Sequence, residues 1–218
     1  MWQAQIFTLY PDIFPGPLSK GLYGKALSNK LWDLKVVNIR DAADDKHKTV
    51  DDTPFGGGFG MLLKADVLAK SIDRNKKQGE RIFYLSPKGK KLDQKLALEL
   101  SKEKSISLIC GHFEGVDERI LLTRNIEELS IGDFILSGGE TASFVVLDSI
   151  LRLLPGVLGN EQSKTDESFE NGLLEYPQYT KPQIWEENSV PEVLLSGDHS
   201  KIKDWRLLQS EAITRDRR

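Results

Sequence analysis

SISLICGHFEGVDERI, residues 105–120, runs a short apolar stretch into a glycine-bracketed loop and out into a helical pattern. Ile106, Leu108, Ile109 and Cys110 make a run of buried-strand length, and Gly111 and Gly115 interrupt it. "DERILLTRNI" (117–126) then reads as a helix. The same order recurs on both sides. Upstream, "RIFYLSPKGKK" (81–91) gives a strand and a loop, and Leu92, Leu96 and Leu100 mark the helix after it. Downstream, "DFILSGGE" (133–140) reads as a strand ending in two glycines, before an apolar helix from Thr141 to Leu154 that stops at Pro155-Gly156. Nearer the start, "QAQIFTLY" (3–10) is an opening strand ended by Pro11. A helix carrying Leu18, Leu22, Leu27 and Leu31 follows, then a second strand, "LKVVNI" (34–39). Residues 40–60 are a long polar, glycine-rich loop of the kind usually either functional or disordered, and Ala65, Leu68, Ala69 and Ile72 restore a helical period. Strands alternating with helices of this length predict an α/β fold with a mostly parallel sheet covered on both faces.

The composition changes at "NEQSKTDESFEN" (160–171), which reads as a linker. The expected organisation is therefore a first domain over 1–159, a linker over 160–171 and a small, mostly helical domain over 172–218. In the last, Ile202, Trp205 and Leu208 repeat at helical spacing within "HSKIKDWRLLQSEAI" (199–213). The 218 residues carry a formal net charge of -3, so any polyanionic partner must be met by local basic patches. Cys110 is the single cysteine, which excludes an intrachain disulfide, and the three histidines have no metal-ligand spacing. The start lacks a basic leader, and the most apolar stretch, "FVVLDSILRLL" (144–154), is broken by Asp148 and Arg152. A cytoplasmic protein with no membrane contact is the expectation.

In an open parallel sheet ligands bind beyond the carboxyl ends of the strands. Three strand exits made of glycine and serine, at Ser86–Gly89, Gly111–Gly115 and Ser137–Gly139, would form one pocket walled by bare main chain. Each loop alone reads as a tight turn between strand and helix; three in succession favour a site. Phosphate suits it poorly, because no P-loop or dinucleotide glycine motif is present and carboxylates flank the loops. An uncharged or cationic ligand with amide-like edges, such as an adenine ring bearing a sulfonium tail, suits it better. Cys110 and His112, two apart, admit a nucleophile-and-base reading, but a small buried thiol accounts for Cys110 more simply.

"HKTVDDTPFGGGFGM", "YLSPKGKKLDQ", "CGHFEGVDERI", "SIGDFILSGGE", "LPGVLGNE" and "VPEVLLSGDH" resemble, in order and spacing, the bacterial tRNA (guanine-N1)-methyltransferases of the SPOUT superfamily, from residue 2 to about Ser210. The resemblance implies a sheet tied into a deep C-terminal trefoil knot, a homodimer, and S-adenosylmethionine bound in a bent shape within the knot. It implies methyl transfer to N1 of guanosine 37 of tRNA, beside the anticodon, with no role for DNA. Carried onto this chain, the methyl-donor site is Tyr84, Leu85, Ser86, Gly111, Glu114, Ile131, Gly132, Asp133, Phe134, Ile135, Leu136, Ser137, Gly138 and Gly139.

Guanine N1 carries a proton, so the reaction needs a base to remove it and a cation for the charge that grows on O6. The resemblance places the arginine at Arg152 and the base at Glu167 or its neighbour Asp166; the family pattern reads Asp-Ser-Phe where this chain has Glu-Ser-Phe. Arg152 also stands four residues after Asp148, the spacing of an ordinary helical ion pair. His47, Asp51, Asp52, Gly57 and Gly58 are the expected substrate contacts, the glycines admitting a flipped base and the carboxylates accepting from guanine. Family turnover depends on magnesium (Mg2+), yet no carboxylate cage offers a metal site. Candidate RNA contacts include Lys48, Lys88, Lys91, Lys201 and Arg206. Two rival expectations are a related enzyme acting on another RNA and a knotted RNA-binding protein without catalysis.

Overall fold

The computed structural model describes residues 1–158 and 172–217, and the chain divides into two compact units, Met1–Gly159 and Asn160–Arg218. In the first unit β1 (Trp2–Thr8) leads through two 3-10 turns into α1 (Gly21–Ser28) and β2 (Trp32–Asn38). A short antiparallel pair, β3 (Asp51–Asp52) and β4 (Leu62–Leu63), closes the glycine-rich loop. Then follow α2 (Ala65–Asn75), β5 (Arg81–Lys91), α3 (Gln94–Ser101), β6 (Ser105–Ile109), α4 (Glu118–Thr123), β7 (Glu127–Ser130) and α5 (Gly139–Leu151). The main sheet has five strands in the order β2-β1-β6-β5-β7, and every pairing in it is parallel.

Side chains on a strand alternate between faces, and here both faces are covered. Phe83 and Leu85 of β5 pack with Ala26, Leu96, Leu100, Val146 and Ile150 from α1, α3 and α5. Ile82 and Tyr84 turn the other way, onto Val67, Leu68, Ile72, Ile120 and Leu121 from α2 and α4. With its middle sealed, such a sheet offers a ligand only the ends of its strands. Asp93 and Asp117 start α3 and α4 by accepting the amides of Leu96 at 2.7 Å and Arg119 at 3.0 Å.

The β5–β7 register breaks between Leu85 and Lys90, which frees the segment after Leu85 from the ladder. Gly89 sits in the break, where a Cβ would lie 2.3 Å from the Leu129 nitrogen. Only glycine lets the two backbones come that close.

One expected strand is not there. "DFILS" is a loop, with Phe134 52% and Ile135 82% exposed, and the strand is Glu127–Ser130 just before it. The helix expected from Thr141 to Leu154 runs instead over Gly139–Leu151, and the one expected over 117–126 is the shorter Glu118–Thr123. The expected linker, 160–171, lies outside the described residues, as do Asp166 and Glu167.

In the second unit β8 (Ile184–Trp185) and β9 (Asn188–Ser189) form a small hairpin before α6 (Glu192–Leu195) and α7 (His199–Arg217). Trp205 of α7 lies 6.3 Å from the Tyr179 ring, and the Arg206 guanidinium sits 4.8 Å over Tyr176. Among the described residues no helix is long and apolar enough to cross a membrane.

Candidate active site

The exits of β5, β6 and β7 converge on one cleft of about 270 Å³. Its walls include Tyr84–Pro87 from β5, Gly111–Gly115 from β6, and Ile131, Gly132 and Phe134–Gly139 from the segment between β7 and α5. Thus the expected donor residues Tyr84, Leu85, Ser86, Gly111, Glu114, Ile131, Gly132, Phe134, Ile135, Leu136, Ser137, Gly138 and Gly139 all line a single space. Asp133 does not; its carboxylate is 91% exposed, 3.6 Å from the Lys91 ammonium.

Glycine is needed here for room. A Cβ on Gly111 would lie 2.6 Å from the Tyr84 ring, and one on Gly138 would lie 2.3 Å from Cε1 of His112. On Gly139 it would lie 2.5 Å from the Cys110 Cα, while the Gly139 amide donates to the Gly111 carbonyl at 3.0 Å. This bond fastens the start of α5 to the β6 exit. Burial, with Glu128 and Glu118 adding to it, pushes the Tyr84 phenol up to about 12, so it stays protonated.

Under the cleft lies a polar cluster that sequence reasoning did not assemble. Glu140, 6% exposed in the first turn of α5, accepts the Thr8 hydroxyl at 2.5 Å on Oε1 and meets His112 Nε2 at 2.7 Å on Oε2. The Thr8 oxygen in turn accepts the Tyr10 amide at 2.9 Å, and the Tyr10 ring meets His112 edge-on at 4.9 Å. Pro87, His112, Phe113 and Gly115, which lie within the strand exits marked in the sequence, also line the cleft, and Leu129, Ser130 and Ala142 complete the lining from outside them. Cys110 is buried in the core beside this cluster, and burial, then the Glu140 charge, push its thiol well above the ordinary range. It has the environment of a structural thiol, not a nucleophile.

The glycine-rich loop reaches the same place. Its return strand hydrogen-bonds the β6 exit, Glu114 amide to Met61 carbonyl at 2.9 Å and Leu63 amide to Gly115 carbonyl at 2.9 Å. A Cβ on Gly60 would collide with the Glu114 side chain. Gly57 and Gly58 have φ of +77° and +123° with open space around them, and Phe55 and Phe59 beside them are almost fully exposed. Asp52 and His47 are exposed on the same loop; Asp51 pairs with Leu63 across β3–β4. None of these five expected substrate residues lines the cleft.

Arg152 caps the carboxyl end of α5, whose amino end forms the cleft wall. The carboxylate of Asp148 accepts the Tyr23 hydroxyl at 2.7 Å. Among the described residues no group of three or more His, Cys, Asp and Glu side chains is placed to hold a metal ion.

Comparison with known proteins bears on what enters the cleft. The family model described as tRNA (Guanine-1)-methyltransferase TrmD matches residues 2–218. A curated tRNA (guanine-N(1)-)-methyltransferase of Pelagibacter ubique is 90% identical over 218 residues, which cover 100% of this chain and 96% of the relative. Enzymes of the same description from Bartonella tribocorum and Brucella canis are 54% and 53% identical over 217 residues, covering 93% and 88% of their own lengths.

Proposed function

This chain belongs to the tRNA (guanine-1)-methyltransferase family, and we propose on that premise that it methylates N1 of guanosine 37 in tRNA, with S-adenosylmethionine as the methyl donor. The observation that carries this reading is the convergence of three side-chain-poor strand exits on one cleft. A ligand there meets mostly amides and carbonyls, as an adenine ring requires. The lining also holds no lysine or arginine to favour a phosphate, and its one carboxylate, Glu114, suits a cationic donor. S-adenosylmethionine supplies an electrophilic methyl group on sulfur.

The chain must do the rest. The backbone of Leu85, Gly111, Ile131 and Leu136 would hold the donor, and the Tyr84 phenol and Glu114 carboxylate lie on the wall shared with the β6 exit. The glycine-rich loop, tied to that exit through Met61 and Leu63, would carry the target base, with His47, Asp51, Asp52, Gly57 and Gly58 as its contacts. A carboxylate, Glu167 or Asp166, would take the N1 proton, and the Arg152 guanidinium would balance the charge on O6.

The position of Arg152 supports an assembly of two copies. α5 is 13 residues long and therefore rises ~20 Å from cleft to Arg152. An arginine that far along the helix serves a cleft more readily when a second copy brings it. A homodimer is supported on this ground, and by the exposure of Tyr10, Ile13, Leu22 and Val145 around α5 and the turns after β1. The Gly139–Gly111 bond, which carries the chain after β7 back against the exit of β6, supports the trefoil knot. The second unit would add RNA contacts, and the cytoplasm is the setting that such a substrate requires.

Titration calorimetry with S-adenosylmethionine, followed by methyl incorporation into tRNA transcripts carrying G37 or A37, tests the proposal. Saturable donor binding and incorporation only with G37 are expected; equal labelling of both transcripts, or none, would overturn it.

A further inference from the structure

Glu140 is an unexpected group to find under an apolar-walled cleft. Burying a carboxylate is costly, and well-packed apolar residues would stabilise a fold at least as well as a buried polar pair. Its partners come from separate parts of the chain, Thr8 from the end of β1 and His112 from the exit of β6, so the carboxylate locks these two segments to the first turn of α5. An ionised carboxylate only accepts, which puts the hydrogen of His112 on Nε2 and leaves Nδ1 as the ring's remaining polar atom. Nδ1 makes no hydrogen bond among the described residues, and it is not among the buried polar atoms left without a partner. His112 lines the donor cleft. Its ring is held in place by the Tyr10 edge on one side and by Gly138, where a Cβ would lie 2.3 Å from Cε1.

We infer that His112 hydrogen-bonds the methyl donor through Nδ1, accepting one of the N–H or O–H groups that S-adenosylmethionine carries, and that Glu140, backed by Thr8, is the positioning residue that presents it. The inference rests on the donor-cleft reading above. Glu140 acts only through the ring: it fixes the tautomer, the tilt and the distance of His112, and touches no ligand itself.

A double-mutant cycle on the full chain, read as donor Kd by calorimetry with S-adenosylmethionine, tests it. His112→Ala is expected to weaken binding about 3- to 10-fold, the size of one hydrogen bond. Glu140→Gln keeps the shape and, with its carbonyl oxygen still accepting the Thr8 hydroxyl, turns its NH2 toward Nε2, which drives the ring hydrogen to Nδ1; it is expected to weaken binding by a similar factor. Combined, the two changes should cost no more than His112→Ala alone, because the introduced amide then has no ring to misdirect. A Glu140 that is merely structural would weaken binding equally with or without the imidazole, and that outcome overturns the inference. So does unchanged affinity in His112→Ala while the unmutated protein binds the donor. Absence of donor binding by the unmutated protein overturns the donor reading itself. If Glu140→Gln does not fold, Thr8→Val, which removes only the backing hydroxyl, takes its place in the cycle: a loss smaller than that of His112→Ala, and absent once the imidazole is gone, is expected, and an equal loss with and without the imidazole overturns the inference.

Discussion

Gly111 has an ordinary backbone conformation, so what it contributes is space. Its Cβ would press on the Tyr84 ring, which is held between the sheet and α2, and ring and backbone cannot both stay in place. Gly111→Ala should therefore weaken donor binding by the equivalent of about 1–3 kcal/mol. Gly57→Ala strains a backbone at φ +77° but lies outside the cleft lining, so it should leave donor affinity as it is; calorimetry on the pair checks both. Arg152→Ala is expected to keep donor affinity and lose transfer by about 10²- to 10³-fold, the scale of one charge-stabilising group. Equal loss of both would make the arginine structural. Of Glu167→Gln and Asp166→Asn, the former should be the slower enzyme in single-turnover methylation. At this scale the glycines were legible, because three small-residue exits in succession are a pattern along the chain. The Thr8–Glu140–His112 cluster was not. Its members are separated by 132 and 28 positions, and nothing local marks the carboxylate as a partner of either.

β7 shows where periodicity misleads. Phe134, Ile135 and Leu136 look like a buried strand, yet they line the cleft and stay exposed, while the true strand carries two glutamates. An apolar residue that a ligand will cover cannot be told, by pattern, from one that the core covers. One of those glutamates, Glu127, is held at the other end of the sheet by Arg81, which also reaches Glu99 of α3 at 2.6 Å and lies over Phe83. The hydrogen bonds from Arg81 hold the Glu127 carboxyl below its ordinary value despite partial burial. Its contribution to stability is thus present in full above the pKa of an unfolded glutamate. It is lost as pH falls through the lower folded value. Melting temperatures from pH 7 down to 3 should fall more steeply for the unmutated protein than for Glu127→Gln; parallel curves would show that the pair contributes nothing.

Taken whole, the molecule sets the cleft and Arg152 at opposite ends of α5, and on the reading proposed above these are the donor site and the group that completes it. Every described residue lining the cleft belongs to the first unit. If the active unit is a homodimer with shared sites, two impaired variants assayed at a donor concentration well below the Kd of Gly111→Ala should rescue each other. Gly111→Ala, weakened at the donor, mixed and reassembled with Arg152→Ala, should recover about a quarter of the original activity, since half the dimers are mixed and each has one complete site. No recovery after verified subunit exchange would place both residues in one chain's site.

The bond from Gly139 to Gly111 also sets an order in time. β6 must already lie between β1 and β5 before α5 has a surface on which to seat, and parallel neighbours joined through distant stretches of chain form slowly. During synthesis or refolding, helical signal is therefore expected to return early, and binding of S-adenosylmethionine to return only later, when α5 closes the wall.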